Sequence, residues 1–214
     1  YLCQVGLDRL PEMQAVFDHV IVHSDDAAHT LLESGFEPRQ IGKFYLAADT
    51  TWLAHARDEA LEQWLPQLEY LLMVGRVVPQ KDVMALLELF AQINRVRPQT
   101  VLIIAGTRDQ AEKYQRQLDN EVSRLGLQDR VLFAGQVNNP AVLASLYRHA
   151  QLLVVTSEWE SFCVPIAEAM TFGVPVAVHN QPPMTEIAGP GGILFDKRNP
   201  TEAAAELINV LEND

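Results

Sequence analysis

Residues 152–178 limit the possible folds of this chain more than any other stretch. They begin with an apolar run of strand length, and a polar loop with acidic side chains follows at residues 157–164. Pro165 is typical of the first turn of a helix, and Gly173 is typical of its end, before a second apolar strand at residues 174–178. This order is typical of a parallel α/β sheet, in which ligands bind beyond the carboxyl ends of the strands. We therefore expect a small molecule to bind at the loop.

The same alternation extends over residues 70–214, where apolar runs of strand length alternate with segments of helical periodicity. It predicts an α/β domain with a Rossmann-like parallel sheet and helices on both faces. The predicted strands are residues 70–74, 100–105, 130–134, 152–155, 174–178 and 192–195. The predicted helices are residues 81–96, 111–125, 140–149, 165–172 and 201–211.

The first 69 residues have a different pattern. Residues 18–23 and 41–47 are predicted strands, residues 25–33 form a predicted helix, and residues 51–69 resemble a polar linker that contains a helix. Two strands and one helix cannot bury a core alone. We therefore expect them to dock on the rest of the chain or to be partly disordered. Because an unpaired apolar strand edge is a template for pairing, we further expect these strands to pair with a second copy of the chain, as a dimer induced by fragmentation, or to fold back on the linker helix around Trp52 and Trp64.

Composition excludes some classes of function. The formal net charge of −12 argues against a nucleic-acid partner, because an acidic surface repels phosphates. Cys3 and Cys163 form no C-x-x-C pair, which favours a reducing cytoplasm. No apolar run approaches the length of a membrane span, and the absence of an initiator methionine at Tyr1 favours an excised piece.

Several common motifs are missing. No Asp-x-Asp occurs, and His19 and His23 flank a predicted strand instead of sharing a helix face, so no metal ligand and no cofactor are predicted. Neither G-x-G-x-x-G nor the phosphate loop G-x-x-x-x-G-K-[ST] is present. NAD-dependent and ATP-hydrolysing functions therefore lose their main support.

Two carboxylates mark the predicted binding loop. Glu160 lies in the loop, and Glu168 lies eight positions later, one turn into the predicted helix, so both can face one crevice. Carboxylates accept hydrogen bonds, which suits a ligand with hydroxyls such as a sugar or ribose. Taken alone, the first is more often a loop carboxylate in water, and the second a first-turn residue favoured by the helix dipole.

Cations and glycines follow the earlier strands. Gly75 and Arg76 end the first strand of the domain, and Lys81 is predicted to begin the next helix. A strand end before a helix N-terminus favours anions, and a guanidinium with an ammonium suits a diphosphate. Gly106 and Gly135 end the next two strands, where glycine lets a flat base approach the backbone. Outside a recognised pattern, such cations are usually solvated and such glycines are usually turns.

These residues resemble a known signature. The residues that carry the likeness are Glu160, Glu168, Ala169-Met170, Gly173, Pro175-Val176, Glu186-Ile187 and Gly191-Gly192, with residues 73–76, Lys81, 103–106 and 131–135 upstream. Their order is similar to that of retaining glycosyltransferases of family 4, which have the GT-B fold. The resemblance implies a nucleotide-sugar-binding C-terminal domain at residues 70–214, an interdomain linker at 51–69, and a remnant of the acceptor domain at 1–50.

The resemblance also implies roles. Arg76 and Lys81 contact the donor diphosphate and offset the charge on the leaving nucleotide, so they are the expected catalytic residues together with Glu160, which contacts the donor sugar. Glu168 binds the ribose hydroxyls, and the loop after the third strand holds the base. The full implied donor site is Gly75, Arg76, Lys81, Gly106, Gly135, Gln136, Val137, Glu160, Ser161, Phe162, Cys163, Val164 and Glu168.

The chain departs from the family at Ser161, Cys163 and Asp82, where members often have glycine. Side chains in the loop narrow the donor pocket, which bears on donor identity more than on donor binding, and Asp82 suits the first turn of a helix. Cys163 is not expected to be a nucleophile, because the family chemistry uses none. The expected partners are a nucleotide-sugar donor and an unknown acceptor.

Two other functions stay open. One is a nucleotide-sugar epimerase or phosphorylase-like enzyme, and the other is a binding module that has lost catalysis. Membrane association of the full-length enzyme also stays open.

Overall fold

The computed structural model describes residues 8–44, 50–109 and 111–213. All strand pairs in these residues are parallel. The strands are β1 (Val20–Val22), β2 (Ile41–Lys43), β3 (Tyr70–Val74), β4 (Val101–Ala105), β5 (Val131–Gly135), β6 (Leu152–Val155), β7 (Val176–His179) and β8 (Ile193–Phe195).

Helices connect most of the strands. They are α1 (Leu10–Gln14), α2 (Asp25–Glu33), α3 (Thr51–Ala54), α4 (Leu61–Trp64), α5 (Val83–Val96), α6 (Glu112–Leu125), α7 (Pro140–Arg148), α8 (Val164–Thr171), α9 (Met184–Ala188) and α10 (Pro200–Asn213). Short 3₁₀ turns lie at Pro38–Gln40, Leu65–Gln67, Pro79–Lys81 and Gly189–Gly191. Among the helices of the described residues, none combines the length and the apolar character needed to cross a membrane.

The main sheet is covered on both faces, as predicted. Successive side chains of a strand point to opposite faces, so Leu71 and Leu152 join a core cluster with α5, α6 and α10. Leu72 and Leu153 join a second cluster with α7, α8 and α9. The Rossmann-like α/β class is therefore confirmed.

The strand order of the main sheet is β5-β4-β3-β6-β7-β8. The chain runs from β3 outward through β4 and β5, and then returns to the other side of β3 to form β6. The direction of winding therefore reverses between β3 and β6, and ligands bind at such a switch point in open α/β sheets. The loops that follow β3 and β6 meet at one crevice.

The helix after β3 begins later than predicted. Lys81 does not begin it but ends a 3₁₀ turn, and α5 starts at Val83. Asp82 is the N-cap instead of a first-turn residue, and its backbone is left-handed, with a φ of 46°. Its carboxylate accepts a hydrogen bond from the amide of Ala85 at 3.3 Å. The short helix α9 was not predicted.

The N-terminal strands form a separate two-stranded sheet. Ser24 caps α2 as predicted, and Val22, Leu31 and Phe36 form a small buried cluster under that helix. Strand β2 ends at Lys43 instead of residue 47, and residues 45–47 lie outside the described part of the chain.

The predicted fold-back on the linker tryptophans is wrong. Trp52 and Trp64 are 51% and 44% exposed and do not belong to the N-terminal cluster. The carboxylate of Glu186 in α9 instead accepts hydrogen bonds from the amides of Asp25 and Asp26 at 2.7 and 2.9 Å, at the start of α2. Pairing with a second copy of the chain stays a prediction.

Candidate functional site

An ion pair joins the two loops at the switch point. Lys81, in the turn after β3, contacts the carboxylate of Glu160, in the loop after β6, and the two side chains are only 14% and 8% exposed. The hydroxyl of Ser157 donates to Oε1 of the same carboxylate at 2.7 Å. Because one carboxylate oxygen receives both a cation and a hydroxyl, Glu160 is held in the crevice.

The backbone that carries Lys81 is tied to the end of β6. Oγ1 of Thr156 donates to the carbonyl oxygens of Lys81 and Asp82 at 3.0 and 3.1 Å. Thr156 is itself buried, at 1% exposure. The two loops are therefore joined beneath the Lys81–Glu160 pair.

The second carboxylate of the signature is also held by a partner. Glu168 lies in α8, and its Oε2 accepts a hydrogen bond from the hydroxyl of Tyr147 at 2.7 Å. The buried ring of Tyr147 stacks on Phe172, with a centroid distance of 5.8 Å and an interplanar angle of 7°. This bond orients one carboxylate oxygen, and the remaining lone pairs of the carboxylate can accept from a ligand.

A cavity of about 310 Å³ opens at the carboxyl ends of β3, β4 and β5. Five predicted donor-site residues line it, namely Gly75, Arg76, Gly106, Gln136 and Val137. The other lining residues are Val74, Ala105, Thr107, Asp109 and Leu143. A concave site of this size, with apolar walls and a few polar groups, suits a small ligand.

The structure shows why position 106 must be glycine, which the sequence alone did not reveal. A Cβ added to it would lie 1.7 Å from the carbonyl oxygen of Gly75, which is far below van der Waals contact. Glycine is therefore required where the ends of β3 and β4 approach each other, whether or not a base binds there.

The loop before α8 turns two predicted donor contacts inward. Phe162 and Cys163 are each 7% exposed, so a donor would meet their backbone instead of their side chains, whereas Ser161 and Val164 are exposed. Burial raises the pKa of the Cys163 thiol to about 12, and the charge of Glu160 adds to this effect. A buried, protonated thiol is a poor nucleophile.

Comparison with known sequences decides the family. The sequence profile of the family "Glycosyl transferases group 1" matches residues 56–214. The chain belongs to this glycosyltransferase family. It is 30% identical over 146 residues to O-antigen chain mannosyltransferase B of Escherichia coli, an alignment that covers 68% of this chain and 37% of that enzyme.

A second relative aligns over more of the chain. It is D-inositol 3-phosphate glycosyltransferase of Thermomonospora curvata, 28% identical over 216 residues, which cover 93% of this chain and 50% of that enzyme. The chain therefore spans half or less of the length of these relatives.

Two solved structures share the fold. Anabaena HepE, solved with UDP and glucose, matches with a TM-score of 0.79 and 23% identity over 98% of this chain and 57% of that chain. Sucrose-phosphate synthase from Thermosynechococcus elongatus matches with a TM-score of 0.81 and 25% identity over 96% of this chain and 53% of that chain. The Rossmann-like domain of the GT-B superfamily is thereby confirmed.

Two of the three positions at which the resemblance predicts glycine lie on left-handed backbone in this chain. Asp82 and Cys163, with φ values of 46° and 60°, are the non-glycine residues with positive φ in the part of the chain that the structure describes. Glycine adopts this conformation without steric cost, which agrees with the resemblance-based expectation of glycine at both positions. Ser161, the third departure, is exposed and does not share this backbone geometry.

Sequence reasoning missed the residues that hold the carboxylates. Tyr147 lies in α7, 21 positions before its partner Glu168, and no spacing rule connects the two. Ser157 lay within the predicted loop but had no assigned role. Among the described residues, no three His, Cys, Asp or Glu side chains are grouped to hold a metal ion. Metal independence stays a prediction.

Proposed function

We propose that the chain is the donor-binding half of a retaining glycosyltransferase of family 4, which transfers a sugar from a nucleotide-diphosphate sugar to an acceptor hydroxyl. The observation that carries this proposal is the buried Lys81–Glu160 pair at the switch point of the sheet. Family membership supports the transferase class, and the solved complexes of Anabaena HepE with UDP and with UDP-glucose support a nucleotide-sugar donor.

The diphosphate would bind between Arg76 and Lys81. Arg76 lines the cavity at the end of β3, and Lys81 extends from the following turn into the crevice. As the bond between sugar and diphosphate breaks, negative charge grows on the diphosphate. Two preorganised cations in a partly water-excluded crevice stabilise that charge.

The nucleoside would occupy the cavity formed by the ends of β3, β4 and β5. The turn at Gly135, with a φ of 70°, leads into Gln136 and Val137, which line the cavity and can present backbone groups to the base. Glu168, oriented by Tyr147, would accept the ribose hydroxyls. Glu160 would contact hydroxyls of the donor sugar.

The acceptor half of the cleft would come from the rest of the protein. We assign residues 1–50 to a remnant of the acceptor domain, 51–69 to the linker and 70–214 to the donor domain. The relatives are about twice as long as this chain or longer, so the 214 residues alone would bind donor without transferring sugar. We further propose that the enzyme acts in the cytoplasm and needs no metal.

Nucleotide binding to the purified chain tests the proposal. A thermal-shift panel of nucleoside diphosphates should raise Tm for at least one of them. At 100 times its Kd that ligand adds about 2.7 kcal/mol, or roughly 5 to 10 °C for a chain of this size. Glu168→Ala and Arg76→Ala should each weaken its binding by about 1.5 to 3 kcal/mol. Lys113→Met, an exposed lysine on α6, is the matched control.

Two results would count against the proposal. The first is the absence of any shift with all nucleotides at millimolar concentration. The second is unchanged affinity in both site variants. Retention is tested separately with the full-length enzyme, by NMR assignment of the anomeric configuration of donor and product, and release of a changed sugar without acceptor would favour an epimerase.

A further inference from the structure

Lys197 is a buried lysine that the proposed mechanism does not use. It follows β8, and its side chain is only 6% exposed. Its ammonium group donates to the carbonyl oxygen of Thr156 at 2.9 Å and contacts the carboxylates of Glu158 at 2.6 Å and Asp82 at 2.7 Å. The three partners of one buried cation therefore come from both loops of the switch-point crevice.

The two loops meet directly around this cation. The amide of Glu158 donates to the carbonyl oxygen of Gln80 at 2.8 Å, and Nε2 of Gln80 donates to the carbonyl oxygen of Trp159 at 2.9 Å. Lys81 and Glu160 are the next residues on the two loops. The position of the Lys81–Glu160 pair therefore depends on how these backbones are held together.

Asp82 is the residue through which Lys197 reaches the loop after β3. Its backbone is left-handed at a φ of 46°, a conformation that costs energy for a residue with a side chain. The cap on Ala85 and the ion pair with Lys197 offset that cost. An aspartate at this position and a lysine at position 197 thus act as a pair.

We propose that Lys197 is a positioning residue of the donor site, which clamps the loop carrying Lys81 to the loop carrying Glu160 through Asp82. The role in donor binding rests on the proposed function, whereas the clamp is a property of the unliganded protein. Loss of Lys197 leaves the partly buried carboxylate of Asp82 without its cation and removes the ammonium that also bonds to Glu158 and to the Thr156 carbonyl, so the loops separate.

Two substitutions break the clamp from opposite sides. Lys197→Met removes the cation and keeps a side chain of similar length. Asp82→Asn keeps the N-cap acceptor and a residue that tolerates left-handed backbone, but it removes the charge. Lys113→Met is the control for loss of an exposed lysine.

Hydrogen exchange of the Glu158 amide, in the whole chain without nucleotide, measures how often the two loops separate. The amide of Leu102, bonded to the carbonyl of Arg130 in the sheet at 2.8 Å, is the internal reference for global stability. We expect exchange at Glu158 to rise roughly tenfold relative to Leu102 in both clamp variants and to stay unchanged in the control. The double variant should not exceed Lys197→Met, because the ion pair that Asp82→Asn removes is already absent when Lys197 is replaced.

Calorimetry with UDP then measures the consequence for the site, at a temperature where every variant is folded. We expect affinity to fall about tenfold in Lys197→Met and in Asp82→Asn, and to stay unchanged in Lys113→Met. Unchanged exchange at Glu158, or additive effects of the two substitutions, would overturn the clamp. Faster exchange with unchanged UDP affinity would overturn the positioning role.

The outcomes separate this inference from the proposed function. If the wild-type chain binds no nucleotide, the proposed function fails, and the exchange experiment still decides the clamp. If Lys197→Met does not fold, Asp82→Asn alone decides it, because this variant leaves Lys197 with Glu158 and the Thr156 carbonyl.

Discussion

The hydroxyl of Tyr147 donates a hydrogen bond of 2.7 Å to Oε2 of Glu168, so a core side chain sets the direction of this carboxylate. The Tyr147 side chain is 0% exposed. Burial, followed by the charge of Glu168, raises the pKa of Tyr147 well above its usual value. The hydroxyl therefore stays protonated and remains a donor at neutral pH.

Tyr147→Phe should weaken nucleotide binding about tenfold, or about 1.4 kcal/mol, because Glu168 loses the hydrogen bond that orients it. Calorimetry with the nucleotide that binds best measures the change. Tyr70→Phe is the matched control, since Tyr70 is equally buried and its hydroxyl donates to the Leu146 carbonyl at 2.6 Å instead of to Glu168. Equal losses of affinity in the two variants would indicate general destabilisation instead of orientation.

Three glycine-to-alanine substitutions should differ sharply in stability. Gly106→Ala should cost more than about 4 kcal/mol or prevent folding, because its Cβ would lie 1.7 Å from the carbonyl oxygen of Gly75. Gly135→Ala meets nothing within 4 Å but has a φ of 70°, so it should cost about 1 to 2 kcal/mol. Gly191→Ala has neither problem and should stay within about 0.5 kcal/mol.

Urea unfolding of the three variants tests this order. Equal stability of Gly106→Ala and Gly191→Ala would show that the β3–β4 junction has room for a Cβ at position 106. A large loss in Gly135→Ala would instead indicate a steric contact that the unliganded structure lacks.

Local sequence patterns predicted most of the strands and helices of the fold. Apolar runs such as residues 152–155 are buried on both faces, so their lengths mark strands directly, and Ser24 and Gly173 mark helix ends through backbone chemistry. The strand order carries no local signal, and neither does the switch point between β3 and β6. The family resemblance supplied the expected site.

What holds the site could not be predicted from sequence. Tyr147 reaches Glu168 only because α7 and α8 pack on the same face of the sheet, and Lys197 reaches Asp82 across 115 positions. The left-handed backbone at Asp82 could not be predicted from the sequence either, because a residue with a side chain normally avoids that conformation. Long-range packing therefore determines which residues hold Glu168 and Asp82 in place.

The linker should contribute stability that depends on pH through Glu62. Burial raises the pKa of this carboxyl, but hydrogen bonds from His149, Ser145 and Arg148 lower it more, to about 2 from 4.5. The folded protein thus favours the carboxylate. The resulting stability is fully present above about pH 4.5 and is lost as pH falls toward 2.

Glu62→Gln should therefore lower the free energy of unfolding by about 2 kcal/mol at pH 7 and by less at pH 3. Urea unfolding at both pH values measures the difference. Glu112→Gln is the control, because Glu112 pairs with Arg116 on the surface at 86% exposure and should change stability little at either pH. A Glu62→Gln effect of equal size at pH 7 and pH 3 would show that the lowered pKa of Glu62 is not the source of the pH-dependent stability.

Glu160 should oppose nucleotide binding while supporting transfer. In the unliganded crevice its carboxylate neutralises Lys81, and a diphosphate would bring further negative charge to the same cation. In the proposed donor site, carboxylate and diphosphate would therefore compete for Lys81. Glu160→Gln keeps the size of the side chain and an acceptor for the Ser157 hydroxyl, but it removes the competing charge.

We expect Glu160→Gln to bind UDP roughly three- to tenfold more tightly and Lys81→Met to bind it about tenfold more weakly, with Glu112→Gln unchanged. Both effects should shrink as salt is raised, since they are electrostatic. In the full-length transferase Glu160→Gln should nevertheless lower kcat, because the proposed contact with the donor sugar is weakened. Weaker UDP binding by Glu160→Gln would mean that Glu160 supports the nucleotide or the loop itself, and the competition argument would then be wrong.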